Sequence, residues 1–480
     1  MLIGELLSNV ARYYGDRIAM VEGDQRITYR EFDIRANKLA NGLLHLGLTK
    51  GDRCAILSPN TIRYPEITFA LARSGIVGVP LNIRLSIPEL VRYLKYTRPV
   101  TMIVIAGLSD MAKSIIAGSG LAIQTIGYDG GHPFDVDYEE IIARSPATPP
   151  DVALSPDDPY MFGPTSGTTG LSKAAIICHR NAIAGIMTYV ADQQWKPSMV
   201  NYHTINFFFN PGGPAHLTQF VRAGTSVIQR EFSIDGLLAA IEKERVNRFT
   251  MVPTMLNMLL NHGGVTKVDL SCVDGIVTGG APLPHTMLKQ TRELIPHMRF
   301  FSQYGMCESC STGLLLPEEC LVMDGTSEQM EKMKSAGLPH TGMSIRVVND
   351  EGQDIAWDGN EVGEIILHGD HVVSGYWEMP EETAHSFRNG WFYSGDLAKQ
   401  DRDGFVYVVD RKKDMIISGG LNVFSVEVEA VIQAHPSVYQ VAVIGVPDEK
   451  WGEAVKAFVV PKPGMSLTEE DVVGWCRVRP

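Results

Sequence analysis

Residues 160–181 read YMFGPTSGTTGLSKAAIICHRN: an apolar run, a loop rich in hydroxyls, and a second apolar run. Within it, Thr165-Ser166-Gly167-Thr168-Thr169-Gly170-Leu171-Ser172-Lys173 places five hydroxyl side chains, two glycines and one lysine in nine residues. Glycine lets the backbone turn successive N–H groups toward one point, and hydroxyls and an ammonium add further donors. Such a loop suits a polyphosphate. It does not follow the G-x-x-x-x-G-K-[ST] pattern of the Walker-type phosphate loop, because Ala174 follows Lys173. On composition alone, a flexible Ser/Thr/Gly turn explains the loop equally well.

The flanking sequence sets this loop in an alternation of helices and strands. Between Ile27 and Leu46, apolar residues Phe32, Ala36, Leu39 and Leu43 recur at helical spacing, and Gly47 stands where a C-cap is expected. Cys54–Leu57 reads as a strand, Pro65 opens a helix ending near Gly75, and Val77–Leu81 reads as another strand. Ser86 with Glu89 is a capping-box pattern before the next helix, and Thr101–Ile105 is again strand-like. The pattern continues with a strand at Thr225–Gln229, a helix at Ile234–Arg245 and a strand at Asp274–Thr278. The alternation predicts an α/β fold with mainly parallel sheet.

From about Ile345 the texture changes. The short runs IRVVND, GEIILHG and GFVYVVDR, separated by Gly and Asp turns, predict an antiparallel or barrel-like subdomain. After Arg411 the pattern is βαβ-like, with a helix at Val426–Ala434 and strands at Val441–Val446 and Ala454–Val460. The expected architecture is a large N-terminal domain, residues 1–410, and a small α+β C-terminal domain, residues 411–480, hinged near 411–413.

A formal net charge of −13 argues against a general nucleic-acid or membrane-surface binder, since either needs a basic footprint. Seven scattered cysteines do not form a disulfide framework, and the N-terminus reads as an amphipathic helix rather than a signal peptide. No apolar run approaches the roughly 20 residues that span a bilayer. A cytoplasmic protein without a membrane anchor is expected; the oligomeric state, a homodimer included, is left open.

Read with its flanks, the 160–181 string closely resembles the phosphate loop of the adenylate-forming (AMP-binding) superfamily, which includes acyl-CoA synthetases and coumarate-CoA ligase-like enzymes. Ser172 and Ala174 stand where Pro and Gly are usual. Further motifs follow in the family's order. Gly279-Gly280-Ala281-Pro282-Leu283 looks like the segment lining the adenine and acyl sites. Gln303-Tyr304-Gly305-Met306-Cys307-Glu308 resembles the aromatic-Gly-x-Thr-Glu motif, with Cys307 replacing Thr. Ser394-Gly395-Asp396-Leu397 looks like the Thr-Gly-Asp segment. Arg411, Lys413 and Gly419-Gly420 match the family arginine, its hinge position and the loop lining the pantetheine channel. INFFFNPGG (205–213) resembles an acyl-pocket segment, with Asn210 where His is common.

The resemblance implies a ligase that uses ATP to convert a fatty or aromatic acid to acyl-AMP and then to an acyl-CoA. It implies catalytic roles for Thr165, Lys173, Glu308 and Arg411. ATP would be held by Thr165, Ser166, Gly167, Thr168, Thr169, Gly170 and Lys173 at the phosphates. Gly280, Ala281, Pro282, Tyr304, Gly305 and Met306 would line the adenine side; Cys307 would stand at the α-phosphate, where a thiol is a weaker hydrogen-bond partner than the usual Thr hydroxyl; Asp396 would accept the ribose hydroxyls and Arg411 would reach the ribose and phosphates. Glu308 would hold Mg²⁺, a hard cation that prefers carboxylate and phosphate oxygens. Lys413, Gly419 and Gly420 would serve the step that uses coenzyme A. The alternatives are a carrier-protein acceptor or an adenylation-impaired nucleotide- or acyl-binding protein.

Three other features need a place. Cys307-x-x-Cys310 could be redox-active or half a zinc site, though no second pair accompanies it. His179 and His203 read as structural. The sequence stops at Arg479-Pro480, before the Gly-Lys whose lysine in the family bridges the substrate carboxylate and α-phosphate, so weakened adenylation is expected. Loss of one preorganised donor typically costs about 3–4 kcal/mol at a transition state.

Overall fold

The computed structural model describes residues 1–130, 133–165, 172–209, 214–281 and 283–477. They form two compact units, Met1–Ser344 with His368–Gly390, and Ile345–Leu367 with Trp391–Pro480.

The first unit contains two mainly parallel sheets, as the alternation predicts. One has seven strands in the order Val136–Asp137, Gln124–Tyr128, Thr101–Ile105, Arg53–Leu57, Val77–Pro80, Pro159–Thr165 and Lys173–Cys178. Every neighbouring pair is parallel except the last. Cys54–Leu57 and Met102–Val104 are completely buried, the signature of strands covered on both faces by helices. The second sheet has nine strands. Arg299–Gly305, Gly275–Gly279, Arg248–Thr250, Val200–Tyr202, Thr225–Val227 and Ile18–Glu22 run parallel at its centre.

The predicted helices form with their signals in place. Ser86 and Glu89 close a capping box, with the Ser86 hydroxyl donating to Glu89 Oε2 at 2.6 Å. The helix Arg63–Ser74 ends at Gly75, whose φ of +71° is the left-handed turn that favours glycine. Phe32, Phe69 and Phe220 meet edge-to-face in the core under the two sheets.

In the second unit, Gly363–His368 pairs antiparallel with Trp391–Gln400, which pairs antiparallel with Val406–Arg411. Ser344–Val348 lies beyond Gly363–His368. Among the described residues these pairings close no ring, so the expected barrel is an open antiparallel sheet. A second antiparallel sheet has the order Leu421–Val423, Ile416–Ser418, Gly452–Pro461, Val438–Asp448. The βαβ reading of this region is therefore corrected. Only residues 449–451 connect Val438–Asp448 to Gly452–Pro461, and a parallel crossover needs about a dozen or more. The helix Ser425–Gln433 packs on this sheet, with Ile432, Val438 and Val443 buried together.

Candidate active site

The strands that flank the donor-rich loop pair with each other. Pro159–Thr165 runs antiparallel to Lys173–Cys178, and Thr165 faces Lys173 across the register. Thr165 is buried. Ser166, Gly167, Thr168, Thr169 and Gly170 lie outside the described residues, so the structure speaks for the two residues that anchor the loop and not for its interior.

Lys173 faces a small charged group. Its Nζ lies 2.5 Å from Glu382 Oε2 and 4.7 Å from the centre of the Tyr376 ring. The ammonium holds the Glu382 carboxyl below the usual carboxylate range. Tyr376 reaches this place because its segment lies along the hairpin: Ala175 and Tyr376 form a bridge, Ile176 N donates to Gly375 O at 3.0 Å, and Trp377 N donates to Ala174 O at 2.9 Å. The Tyr376 hydroxyl then donates to Glu308 Oε1 at 2.8 Å. Burial, followed by the negative Glu308, raises the Tyr376 pKa, so the phenol stays a donor.

Glu308 sits in a short 3-10 turn, Cys307–Ser309, just past the carboxyl end of Arg299–Gly305. That strand pairs in parallel with Gly275–Gly279, Gly279 facing Gln303. Two of the predicted segments thus occupy adjacent carboxyl ends of parallel strands, the edge of an α/β sheet where ligands collect. Backbone geometry explains two glycines. Gly280 turns the chain with φ +77°, and a Cβ on Gly305 would lie 2.5 Å from the Ser311 backbone. Tyr304 and Met306 are half-buried here, Ala281 is exposed, and Pro282 lies outside the described residues.

Cys307 packs its thiol inward. A Cβ added to Gly163 would sit 2.3 Å from Cys307 Sγ, so the phosphate-loop strand and the Glu308 turn meet at van der Waals contact. Burial and the neighbouring Glu308 push this thiol well above the usual range, and burial does the same to Cys310. Both are free thiols, and no cluster of three or more His, Cys, Asp or Glu suited to a metal occurs among the described residues. Cys310 is completely buried in the core, with Cys307 packed against it. His179 and His203 are structural as expected: Ile3 N donates to His179 Nδ1 at 3.2 Å, and His203 Nε2 lies 3.0 Å from Ser226 Oγ.

The remaining predicted residues belong to the second unit. Asp396 and Arg411 face each other across two antiparallel strands, with Arg411 Nε 3.4 Å from Asp396 Oδ1. The register slips between Leu397 and Ala398, and Gly395 takes φ +74° with its N–H donating to Glu364 Oε1 at 3.0 Å. Lys413 is exposed. Gly419 and Gly420 form the two-residue turn of the Ile416–Ser418/Leu421–Val423 hairpin, with φ +59° and +81° as that turn requires.

Sequence reasoning missed Tyr376 and Glu382. The available signal was Ser374-Gly375-Tyr376-Trp377, a glycine followed by two aromatic residues, but nothing in it names Glu308 or Lys173 as partners.

Residues 7–377 match the AMP-binding enzyme family, and residues 427–479 match the AMP-binding enzyme C-terminal domain. The chain is an AMP-binding enzyme. It is 34% identical to a feruloyl-CoA synthase from Amycolatopsis sp. over 98% of its own length and 90% of the relative's. Among solved structures, it resembles a Mycobacterium tuberculosis fatty acyl CoA synthetase with a TM-score of 0.82 and 30% identity, covering 100% of this chain and 92% of that one. It also resembles ATP-bound MatB from Rhodopseudomonas palustris with a TM-score of 0.86 and 28% identity, covering 100% and 93%. Like its AMP-binding relatives, the enzyme is an acid–thiol ligase. It activates a carboxylic acid as acyl-AMP with ATP and passes the acyl group to CoA.

Proposed function

We propose that the anchored loop Thr165–Lys173, Glu308, Asp396 and Arg411 serve one bound nucleotide. The observation that carries this reading is the Tyr376 ring, which touches the Lys173 ammonium on one side and donates to Glu308 on the other. A cation and a carboxylate are thereby held by one rigid group beside a donor-rich loop, the combination that phosphate chemistry uses.

In the proposed reaction a substrate carboxylate oxygen attacks the α-phosphorus. A P–O bond forms to the acyl oxygen, and the bond to pyrophosphate breaks. Thr165, Lys173 and the loop between them steady the departing charge. Tyr304, Gly305 and Met306, with Gly280, Ala281 and Pro282, line the adenine side, Cys307 stands at the α-phosphate, and Asp396 accepts the ribose hydroxyls while Arg411 reaches the ribose and phosphates. The described residues fit Mg²⁺ as a shared ion: Glu308 offers a carboxylate, and no group of three or more ligating side chains occurs among the described residues. Mg²⁺ commonly takes one or two carboxylates and completes its shell with phosphate and water. When bound, it would neutralise phosphate charge beside Glu308.

In the second step the CoA sulfur attacks the acyl carbon and AMP leaves with its electron pair. We assign the small domain to residues 411–480, its pivot to 411–413, and the channel for the thiol arm to Lys413 and the Gly419-Gly420 turn. A cytoplasmic setting agrees with the free cysteines, and no described helix is long and apolar enough to cross a membrane.

The test is acid-dependent pyrophosphate release, with and without CoA, comparing ATP with 2′-deoxyATP. Asp396→Ala should raise KM for ATP and abolish the preference over 2′-deoxyATP. A preference that survives the substitution removes Asp396 from the ribose site.

A further inference from the structure

The strand Arg299–Gly305 pairs antiparallel with Gly313–Leu316, Gly305 facing Gly313, so residues 306–312 form the loop between them, with Glu308 inside it. The loop bends sharply. Cys310 and Ser311 take φ of +50° and +62°, the left-handed region that side chains disfavour. Ser311 N donates to Met306 O at 2.8 Å, and the Ser311 backbone fills the place a Cβ on Gly305 would need. A backbone of this kind persists where its surroundings hold it.

The hold comes from one phenol on another element. Tyr189 lies on the helix His179–Asp192, which follows directly on the strand Lys173–Cys178. Its hydroxyl donates to Ser311 O at 3.1 Å and accepts from Gln303 Nε2. Gln303 precedes Tyr304, and Ser311 stands three residues past Glu308. One oxygen atom therefore joins both ends of the segment that carries Tyr304 and Glu308. The rest of the Gln303 amide is engaged too: Gln193 Nε2 donates to Gln303 Oε1 at 3.1 Å, and Trp195 Nε1 donates to Gln193 Oε1 at 3.0 Å. Tyr189 and Gln193 are buried. The Tyr189 ring stacks on His340, whose Nδ1 lies 2.7 Å from Asp192 Oδ2 on the same helix. Burial raises the Tyr189 pKa, so the phenol stays a donor.

We propose that Tyr189 is a positioning residue for acid activation, acting through Gln303 and Ser311 to fix the loop that carries Glu308. This rests on the reading of Glu308 given above. Tyr376 holds the Glu308 carboxylate itself, whereas Tyr189 holds the backbone from which that carboxylate projects. The tether also runs to the element that follows the Lys173 strand, so it sets the Glu308 loop against the anchor of the phosphate loop. Without it, the two left-handed residues are free to relax, and a shift of about 1 Å near a reacting centre can cost about 100-fold in rate. Pyrophosphate leaves in the first step only, so the loss falls on acyl-AMP formation and not on transfer to CoA.

The experiment compares Tyr189→Phe, Gln303→Leu, the double variant and Glu308→Gln with the unaltered full chain. It measures pyrophosphate release with cinnamic and octanoic acids, thioester formation from CoA and the supplied acyl adenylate, and calorimetric ATP binding without acid, in Mg²⁺ and in EDTA. Tyr189→Phe should slow pyrophosphate release about tenfold through kcat, and leave KM for the acid and the thioester step within about twofold. It should also narrow the gain in ATP affinity that Mg²⁺ gives. Glu308→Gln should show the same pattern more strongly. The double variant should lose no more than the worse single one, because both substitutions cut one link. Gln303→Leu carries the test if Tyr189→Phe does not fold, and ATP binding decides it if neither acid turns over. A Tyr189→Phe enzyme that slows both steps alike overturns the positioning role alone. So does one that keeps the full Mg²⁺ gain where Glu308→Gln loses it. No Mg²⁺ gain in the unaltered chain, or a full gain in Glu308→Gln, overturns the metal reading of Glu308 as well.

Discussion

Tyr376 donates a 2.8 Å hydrogen bond to Glu308 while its ring lies 4.7 Å from the Lys173 ammonium. The tyrosine is held by backbone pairing of its own segment to the strand that carries Lys173. The distance between the loop's cation and the proposed metal carboxylate is thus set by one aromatic ring on a fixed backbone, not by two flexible side chains.

Tyr376→Phe keeps the ring beneath Lys173 and removes the hydroxyl from Glu308. A hydrogen bond to a charged group is worth about 1.5–3 kcal/mol, or roughly 10- to 150-fold. Acid-dependent pyrophosphate release should fall within that range and need more Mg²⁺ for half-maximal rate. A variant with an unchanged Mg²⁺ titration would show that Glu308 needs no help from this phenol.

Glu382→Gln should act in the opposite direction. Glu382 is half exposed, so its pair with Lys173 contributes little to folding. It does compete with an incoming phosphate for the ammonium. The variant is expected to lower KM for ATP severalfold with little change in melting temperature, whereas Lys173→Met raises KM. An increase in KM with Glu382→Gln would assign the carboxylate a supporting role instead.

Gly163→Ala should be severe. The new methyl would fall 2.3 Å from Cys307 Sγ and 3.0 Å from Ile177 Cδ1. Overpacking costs about 1–3 kcal/mol, and relief by moving Cys307 also moves Glu308. Both urea stability and activity should drop. Adding Cys307→Ala should restore much of each; a double variant no better than Gly163→Ala would place the damage elsewhere.

Stability should decline as pH falls from about 6.5 towards 4. Burial draws His179 and His371 down to about 4 and His216 to about 3, and it holds His203 well below its usual value. In the unfolded chain these imidazoles titrate near 6.5. Between the two values the unfolded state binds more protons, so the stabilisation is whole above about pH 6.5 and is lost on acidification, by up to about 1.4 kcal/mol per pH unit for each histidine. Urea midpoints measured from pH 8 to pH 5 should show the slope, with a smaller one in His179→Gln. A flat profile would contradict the neutral buried state.

Much of the fold was legible because its signals are local. Helical spacing from Phe32 to Leu43, the Ser86–Glu89 box, the Gly75 cap and the all-apolar Cys54–Leu57 strand each act within a few residues, and each predicted its element. The C-terminal sheet was misread because a strand's direction is a property of its pairing partner. The short 449–451 connection was the one local hint that Val438–Asp448 and Gly452–Pro461 form a hairpin.

The sequence by itself determined the chemistry on offer: a hydroxyl-rich loop with a lysine, and Glu308, Asp396 and Arg411 in the order of the AMP-binding enzymes. Only the tertiary structure decided that Tyr376 supports both Lys173 and Glu308, that Gly163 leaves room for Cys307, and that Tyr189 joins Gln303 to Ser311. These contacts join residues far apart in the chain. Their strength depends on ångström-scale packing and on the exclusion of water, which no run of neighbouring residues encodes.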